Sequence, residues 1–208
     1  MNEKRLLTVM GGSNKKLLRA SFTSGIDGFT DATWVDAEDA ILGNGYISIP
    51  TNITITKPFI ASSSGIIYTS IYIKVADDEV IDNANTKNTW FYLLPTVGTI
   101  GSADSLATFA INRRAAGNDP ASTTTEFKFE YRDDATFKLT TLIARQIWWK
   151  IGCVINLDTK RYSLYLNDVL WIDNIVCPNA AAADLSRFTI LNSTLAPATL
   201  FDEIYITK

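Results

Sequence analysis

Two glutamates in the stretch EFKFEY, Glu126 and Glu130, come nearest in this chain to an acid–base pair. As a strand, the stretch places Glu126, Lys128 and Glu130 on one face and Phe127, Phe129 and Tyr131 on the other. Four residues at about 3.3 Å each put the carboxylates roughly 13 Å apart. Two-carboxylate glycoside hydrolysis needs about 5–5.5 Å for retention or about 6.5–9.5 Å for inversion. Lys128 between them holds both carboxylates ionised. The spacing predicts a solvated charged face over a buried aromatic one, and no catalytic pair. The chain has no histidine, which removes Ser-His-Asp and Cys-His mechanisms and His-ligated zinc. Its two cysteines, Cys153 and Cys177, read as free buried thiols, with a single disulfide as the alternative.

The second chemistry within reach is stacking. An aromatic plate takes the apolar face of a pyranose, while amides and carboxylates take its hydroxyls. Five tryptophans, Trp34, Trp90, Trp148, Trp149 and Trp171, and eight tyrosines supply candidates. Trp148 and Trp149 are adjacent, so on a strand one faces the core and the other the opposite side. Trp90, Trp148, Trp149 and Tyr165 are the candidate ligand-binding residues. Core packing is the competing role for each.

These side chains need a frame, and the frame reads as β almost throughout. Runs rich in Ile, Val, Thr, Tyr and Phe alternate with Gly, Asn, Asp, Ser and Pro. Strands are predicted near residues 6–10, 17–23, 46–49, 53–56, 66–75, 90–95, 106–112, 125–131, 136–142, 147–157, 162–166, 169–175, 187–191 and 200–207. That spacing fits a sandwich or barrel in a single domain. One short helix is predicted over NAAAADLS, Asn179 to Ser186, with Asn179 as its cap. The polar loops KVADDEVIDNANTKNT and NRRAAGNDPASTTTE belong at the rim.

The stretch YSLYLNDVLWIDN predicts a hairpin turning at Asn167 and Asp168, both tolerant of positive φ. Simple pairing sets Leu164, Leu166, Val169 and Trp171 on one face and Tyr165, Leu170 and Ile172 on the other. Both faces are apolar, so both need a cover.

Charge is light at 20% with a net of −3, which argues against nucleic-acid binding. It is uneven, however. Lys4, Arg5, Lys15, Lys16 and Arg19 against Glu3 give +4 over the first 19 residues, leaving −7 for the rest. Residues 1–16 therefore read as a basic arm and residues 17–208 as the sandwich domain. Lys4, Arg5, Leu6 and Leu7 are its candidate assembly contacts, toward other subunits or another copy of the chain. The run LLTVM is too short for a secretory leader, and no stretch approaches a membrane span.

The segments WWKIGCVINLDTKRYSLYLNDVLW and LFDEIYITK, with SFTSGIDGFTDATW near the start, resemble the concanavalin A-like lectin/glucanase superfamily, including laminin G-like domains. The resembling features are Trp148 or Trp149 opening a strand that ends at Asp158, the Asn167–Asp168 tip, and Asp202–Glu203 opening the last strand. Asp168 stands where a glycine is usual. The resemblance implies an all-β, two-sheet antiparallel jelly roll. It also implies a place for a structural calcium at Asp202, with surface acids as the competing reading. The E-x-D-x-x-E pattern of the glucanase branch is absent. The expected function is a non-catalytic, lectin-like structural or adhesive protein of a large assembly, most simply a phage virion component. Its partners would be protein subunits and glycans, with neither nucleic acid nor membrane. A carbohydrate-binding module of a secreted protein is the alternative, and a glycan hydrolase a third reading.

Overall fold

The computed structural model describes residues 16–22, 25–29, 31–36, 40–41, 45–50, 52–75, 89–112, 123, 125–193 and 199–208. The described residues form fourteen strands and no helix. They are β1 (Lys16–Ala20), β2 (Thr33–Asp36), β3 (Gly45–Ile49), β4 (Ile53–Ser62), β5 (Ile66–Lys74), β6 (Thr89–Leu94), β7 (Ala107–Asn112), β8 (Glu126–Asp133), β9 (Thr136–Ala144), β10 (Trp149–Asn156), β11 (Arg161–Leu166), β12 (Val169–Val176), β13 (Leu185–Asn192) and β14 (Thr199–Thr207). One sheet has eight strands in the order β12-β11-β10-β5-β14-β3-β2, with β1 also paired to β14. The other has six, in the order β4-β13-β6-β7-β8-β9. Every pairing is antiparallel. The predicted strand at residues 6–10 and the contacts at Lys4, Arg5, Leu6 and Leu7 lie outside the described residues.

The core between the sheets is rich in phenylalanine. Phe91, Phe109 and Phe129 stack across β6, β7 and β8, at 5.0 Å for the first pair and 5.9 Å for the second. Phe201 meets Phe91 edge-on at 5.7 Å from the opposite sheet, and Trp171 meets Phe129 at 5.6 Å. Such offset and edge-on pairs exploit the ring quadrupole as well as burial. Tyr162 crosses the core with a polar tip. Its hydroxyl donates toward the carbonyls of Thr108, at 3.3 Å, and Arg132, tying β11 to β7 and β8. Tyr162→Phe leaves those buried carbonyls short of a donor. The expected loss is about 1–3 kcal/mol, to be read from the shift in urea midpoint at constant m-value.

The hairpin turns where expected, and Asn167 and Asp168 both take positive φ, at 50° and 68°. Its faces differ from simple alternation. Leu166 pairs with Val169, but Leu164 pairs with Ile172 and Tyr162 with Ile175, because the register shifts twice. Each bulge adds a residue to one strand and re-aims the side chains beyond it. Tyr162, Leu164 and Ile175 are buried in the core, and Leu166, Trp171 and Ile172 pack against it. Ser163, Tyr165 and Leu170 are left on the outer side.

Two further expectations are corrected. Asn179 to Ser186 is no helix: the chain turns at 180–181 and enters β13 at Leu185. Eight residues are too few to hold a helix without tertiary support, and here the support goes to strand pairing. Leu185 pairs with Ser62, and the Asn179 amide bonds to the Ser105 carbonyl at 2.9 Å. Lys128 is not solvated, being 3% exposed. The unforeseen β2 holds Trp34, whose indole N–H donates to the Phe22 carbonyl at 2.8 Å. A side chain on Gly45 would strike that indole at 2.6 Å, so the bare glycine seats the ring.

Candidate functional site

Lys128 belongs to the outer face of the six-stranded sheet, several of whose residues are buried as it is. Strand register puts Leu191, Trp90, Ala110, Glu130 and Leu139 in one row across β13 to β9. The next row runs Thr189, Tyr92, Thr108, and the pair Arg132 and Phe137 lies beyond it. Asn112, Lys128 and Leu142 form the row on the other side. Tyr92, Leu94 and Ala110 are buried yet belong to no part of the inter-sheet core. This face therefore has a covered layer of its own.

Aromatic rings make part of that cover. Trp90 and Tyr92 lie near-parallel with centroids 6.2 Å apart. Trp90 also meets Phe137 edge-on at 5.5 Å, although their strands stand three spacings apart, about 14 Å at about 4.8 Å per strand. The two rings reach toward each other across β7 and β8, where the Ala110 methyl leaves room. Arg132 stacks on the other end, its guanidinium 5.4 Å from the Phe137 centroid. Phe137 and Leu139 remain exposed at 44% and 39%. Polar groups sit beside these rings. Asn112 Nδ2 donates to Glu130 Oε2 at 3.0 Å. Burial and the Glu130 charge push the Tyr92 phenol up to about 12, so it stays a hydrogen-bond donor at neutral pH. The cluster offers a half-buried indole plate, a carboxylate acceptor, an amide and a phenol, with exposed apolar flanks.

The predicted ligand residues are not brought together. Trp90 lies in this cluster. Trp149 packs against the core, its indole N–H donating to the Ala144 carbonyl at 2.8 Å. Trp148 stands on the outer face of the eight-stranded sheet, 5.5 Å edge-on to Tyr46 and under the Lys74 ammonium at 5.9 Å. Tyr165 shares that face. Glu126 lies at the start of β8, where its amide bonds to Thr123 Oγ1 at 3.0 Å, away from Glu130. Asp202 is fully buried, and its two oxygens accept the amides of Ile41 at 2.6 Å and Glu203 at 2.7 Å. Among the described residues no group of three or more Asp, Glu, Cys or His is gathered as for a metal. Cys153 and Cys177 are both free and buried. Sequence reasoning missed Tyr92, Asn112, Phe137 and Arg132. The alternation in TWFYLL and TFKL signals outward aromatics, but only strand order makes them neighbours.

The buried thiols and phenols carry a pH consequence. Burial raises Cys153 and Tyr162 well above their ordinary values, and Cys177 and Tyr92 to about 12. Below about pH 9 folded and unfolded chains both keep these protons. Above it the unfolded chain releases them first, so stability falls as pH rises toward 12. Thermal unfolding scanned from pH 8 upward should show Tm dropping through this window. In Glu130→Gln the Tyr92 titration, followed by tyrosinate absorbance, should move down.

Comparison with solved structures bears on the fold. No protein-family profile and no curated protein matches the chain by sequence. The carbohydrate esterase vb_24B_21 of the Shiga toxin-encoding bacteriophage phi24B superposes with a TM-score of 0.59 at 11% identity, over 94% of this chain and 99% of that one. The PL7 alginate lyase AlyA1 of Zobellia galactanivorans gives 0.57 at 8% identity, over 98% and 99%. A sialidase gives 0.58 at 7% identity, over 92% of this chain, which spans only 18% of the sialidase. These likenesses show the fold alone: a jelly-roll sandwich of two antiparallel sheets, the architecture that the resemblance to concanavalin A-like proteins implied.

Proposed function

We propose that the chain is a non-catalytic, lectin-like module that binds glycans on the outer face of the six-stranded sheet, as a surface component of a phage particle. The observation that carries the reading is Trp90 held between Tyr92 and Phe137 beside the Asn112–Glu130 pair. An indole plate next to a carboxylate and an amide is the equipment for a pyranose: C–H groups stack, hydroxyls bond. Three things support a non-catalytic role. Glu126 and Glu130 lie four residues apart along β8, roughly 13 Å at about 3.3 Å per residue and beyond the reach of two-carboxylate hydrolysis, no histidine is present, and Tyr92 holds its proton. The phage setting is supported by the full-length likeness to a bacteriophage protein.

A glycan array probed with the full chain, with and without calcium, tests the binding. Retention of at least one glycan series is expected; silence across a broad panel would sink the reading. Size-exclusion chromatography with light scattering tests the assembly role, for which an oligomer is expected. A monomer that also fails to co-sediment with particles would return the chain to the secreted-module alternative.

A further inference from the structure

Lys128, Asn112 and Glu130 bring an amine, a carboxamide and a carboxylate to neighbouring positions on β7 and β8. These strands pair without a register shift from Phe109–Tyr131 to Asn112–Lys128. Lys128 and Asn112 therefore stand directly opposite each other on one face, and each is only 3% exposed. Glu130 lies two residues along β8 from Lys128, on the same face. Its Oε2 accepts Asn112 Nδ2 at 3.0 Å. On the other flank of β8 the pairing to β9 shifts between Lys128 and Glu130, and the Phe129 amide bonds to Thr140 Oγ1 at 3.0 Å. Such bulges re-aim side chains beside reactive groups.

Residues directly opposite in an antiparallel pair hold their Cβ atoms about 4.5–5.5 Å apart. The lysine stem is long enough to cross that gap, so side-chain rotation alone brings Nζ to Asn112 Cγ. Two hydrogen-bonded strands hold amine and carboxamide together, which makes their encounter intramolecular. Burial keeps water from competing for the acyl carbon. Burying an ammonium is costly, whereas the amide that would replace it carries no charge.

We propose that Lys128 and Asn112 join in an intramolecular isopeptide bond, formed by the chain itself with Glu130 as its acid–base catalyst. Glu130 takes a proton from the Lys128 ammonium, and the freed Nζ attacks Asn112 Cγ, forming the new C–N bond. Glu130 then passes its proton to Asn112 Nδ2 and takes one from Nζ. The Cγ–Nδ2 bond breaks and ammonia departs. It picks up the proton left on Glu130 and leaves as ammonium, so the carboxylate is restored. Lysine and asparagine become one secondary amide plus ammonium, and no oxidant, cofactor or outside nucleophile enters. The bond closes residues 112–128 into a covalent loop, restricting the unfolded chain as a disulfide does. Cys153 and Cys177 are both free, so this staple is independent of redox conditions. The proposal does not rest on glycan binding.

Mass spectrometry of the full chain, intact and after trypsin, tests this without any sugar, so its failure and that of the glycan reading are separate results. The folded chain should be lighter than its sequence mass by one ammonia. A branched tryptic peptide should join the segment ending at Arg113 to the segment holding Lys128, which trypsin no longer cuts. Lys128→Arg should restore the full mass. Asn112→Asp should lose one water in place of ammonia. Cross-linking should run about 100-fold slower in Glu130→Gln, read as the cross-linked fraction over time. A wild-type chain at full mass, cut normally at Lys128, would overturn the proposal, and this result needs no variant to fold. Ammonia loss that persists in Lys128→Arg would overturn it too, by assigning the loss to a succinimide at an asparagine. A rate indifferent to Glu130→Gln would overturn the catalytic assignment.

Discussion

Phe109→Ala is expected to cost about 3–5 kcal/mol of folding stability, more than the loss of the Tyr162 hydroxyl. Phe109 is 2% exposed and is the middle ring of the Phe91–Phe109–Phe129 stack. Its removal forfeits the transfer energy of a buried ring and opens a cavity between two rings fixed by neighbouring strands. Those strands are hydrogen-bonded on both sides, so the cavity cannot collapse. Two aromatic pairs go as well, each worth about 0.5–1.5 kcal/mol beyond area. Domains of this kind hold about 5–15 kcal/mol in total, so Tm should fall by roughly 10 °C or more. Urea unfolding checks it. A midpoint shift equivalent to under about 1.5 kcal/mol would mean the ring stack is not the centre of the core.

Trp90→Ala should weaken binding of any glycan captured on the six-stranded sheet by about 2 kcal/mol or more, about 30-fold in Kd. The indole is the largest plate in that cluster, and its loss also frees Phe137 from its edge contact. Trp90→Phe should retain part of the affinity, because a smaller π-face survives. Glu130→Gln should lose less than Trp90→Ala, since an amide oxygen still accepts. Calorimetry on the glycan selected by the array measures all three. Equal losses for Trp90→Ala and Trp90→Phe would show that the indole N–H, and not the stacking face, carries the contact.

Much of the frame is legible in the sequence, because strand runs and turn residues are local signals. Asn167–Asp168 announces its own turn, and the alternation in IIYTSIYIK announces β5. Local reading fails where a distant partner decides. The alanines of 180–183 favour a helix, but β13 is wanted between β4 and β6, and its pairing claims Leu185 and Ser186. The hairpin faces depend on two bulges that no composition marks. Lys128 reads as solvated because nothing local reveals that the outer face of the six-stranded sheet is itself largely buried, with rings as far apart in the chain as Trp90 and Phe137, 47 positions, meeting there. Trp90 is recognisable as a candidate; its companions Tyr92, Asn112 and Phe137 need the strand order.

The strand order also dictates when this molecule can fold. β14 lies between β5 and β3 and also pairs β1, while β13 is the one strand that pairs β4 among the described residues. A ribosome makes those two after every strand with which they pair. Until Leu185–Thr207 emerges, the eight-stranded sheet is split in three and β4 has no ladder among the described residues. Both sheets therefore close only after that segment is made, with β1 and β4 held as unpaired, β-rich segments meanwhile. Such long-range closure is slow and exposes edges to other nascent chains. Expression at low temperature or alongside a holdase chaperone should raise the soluble yield for that reason.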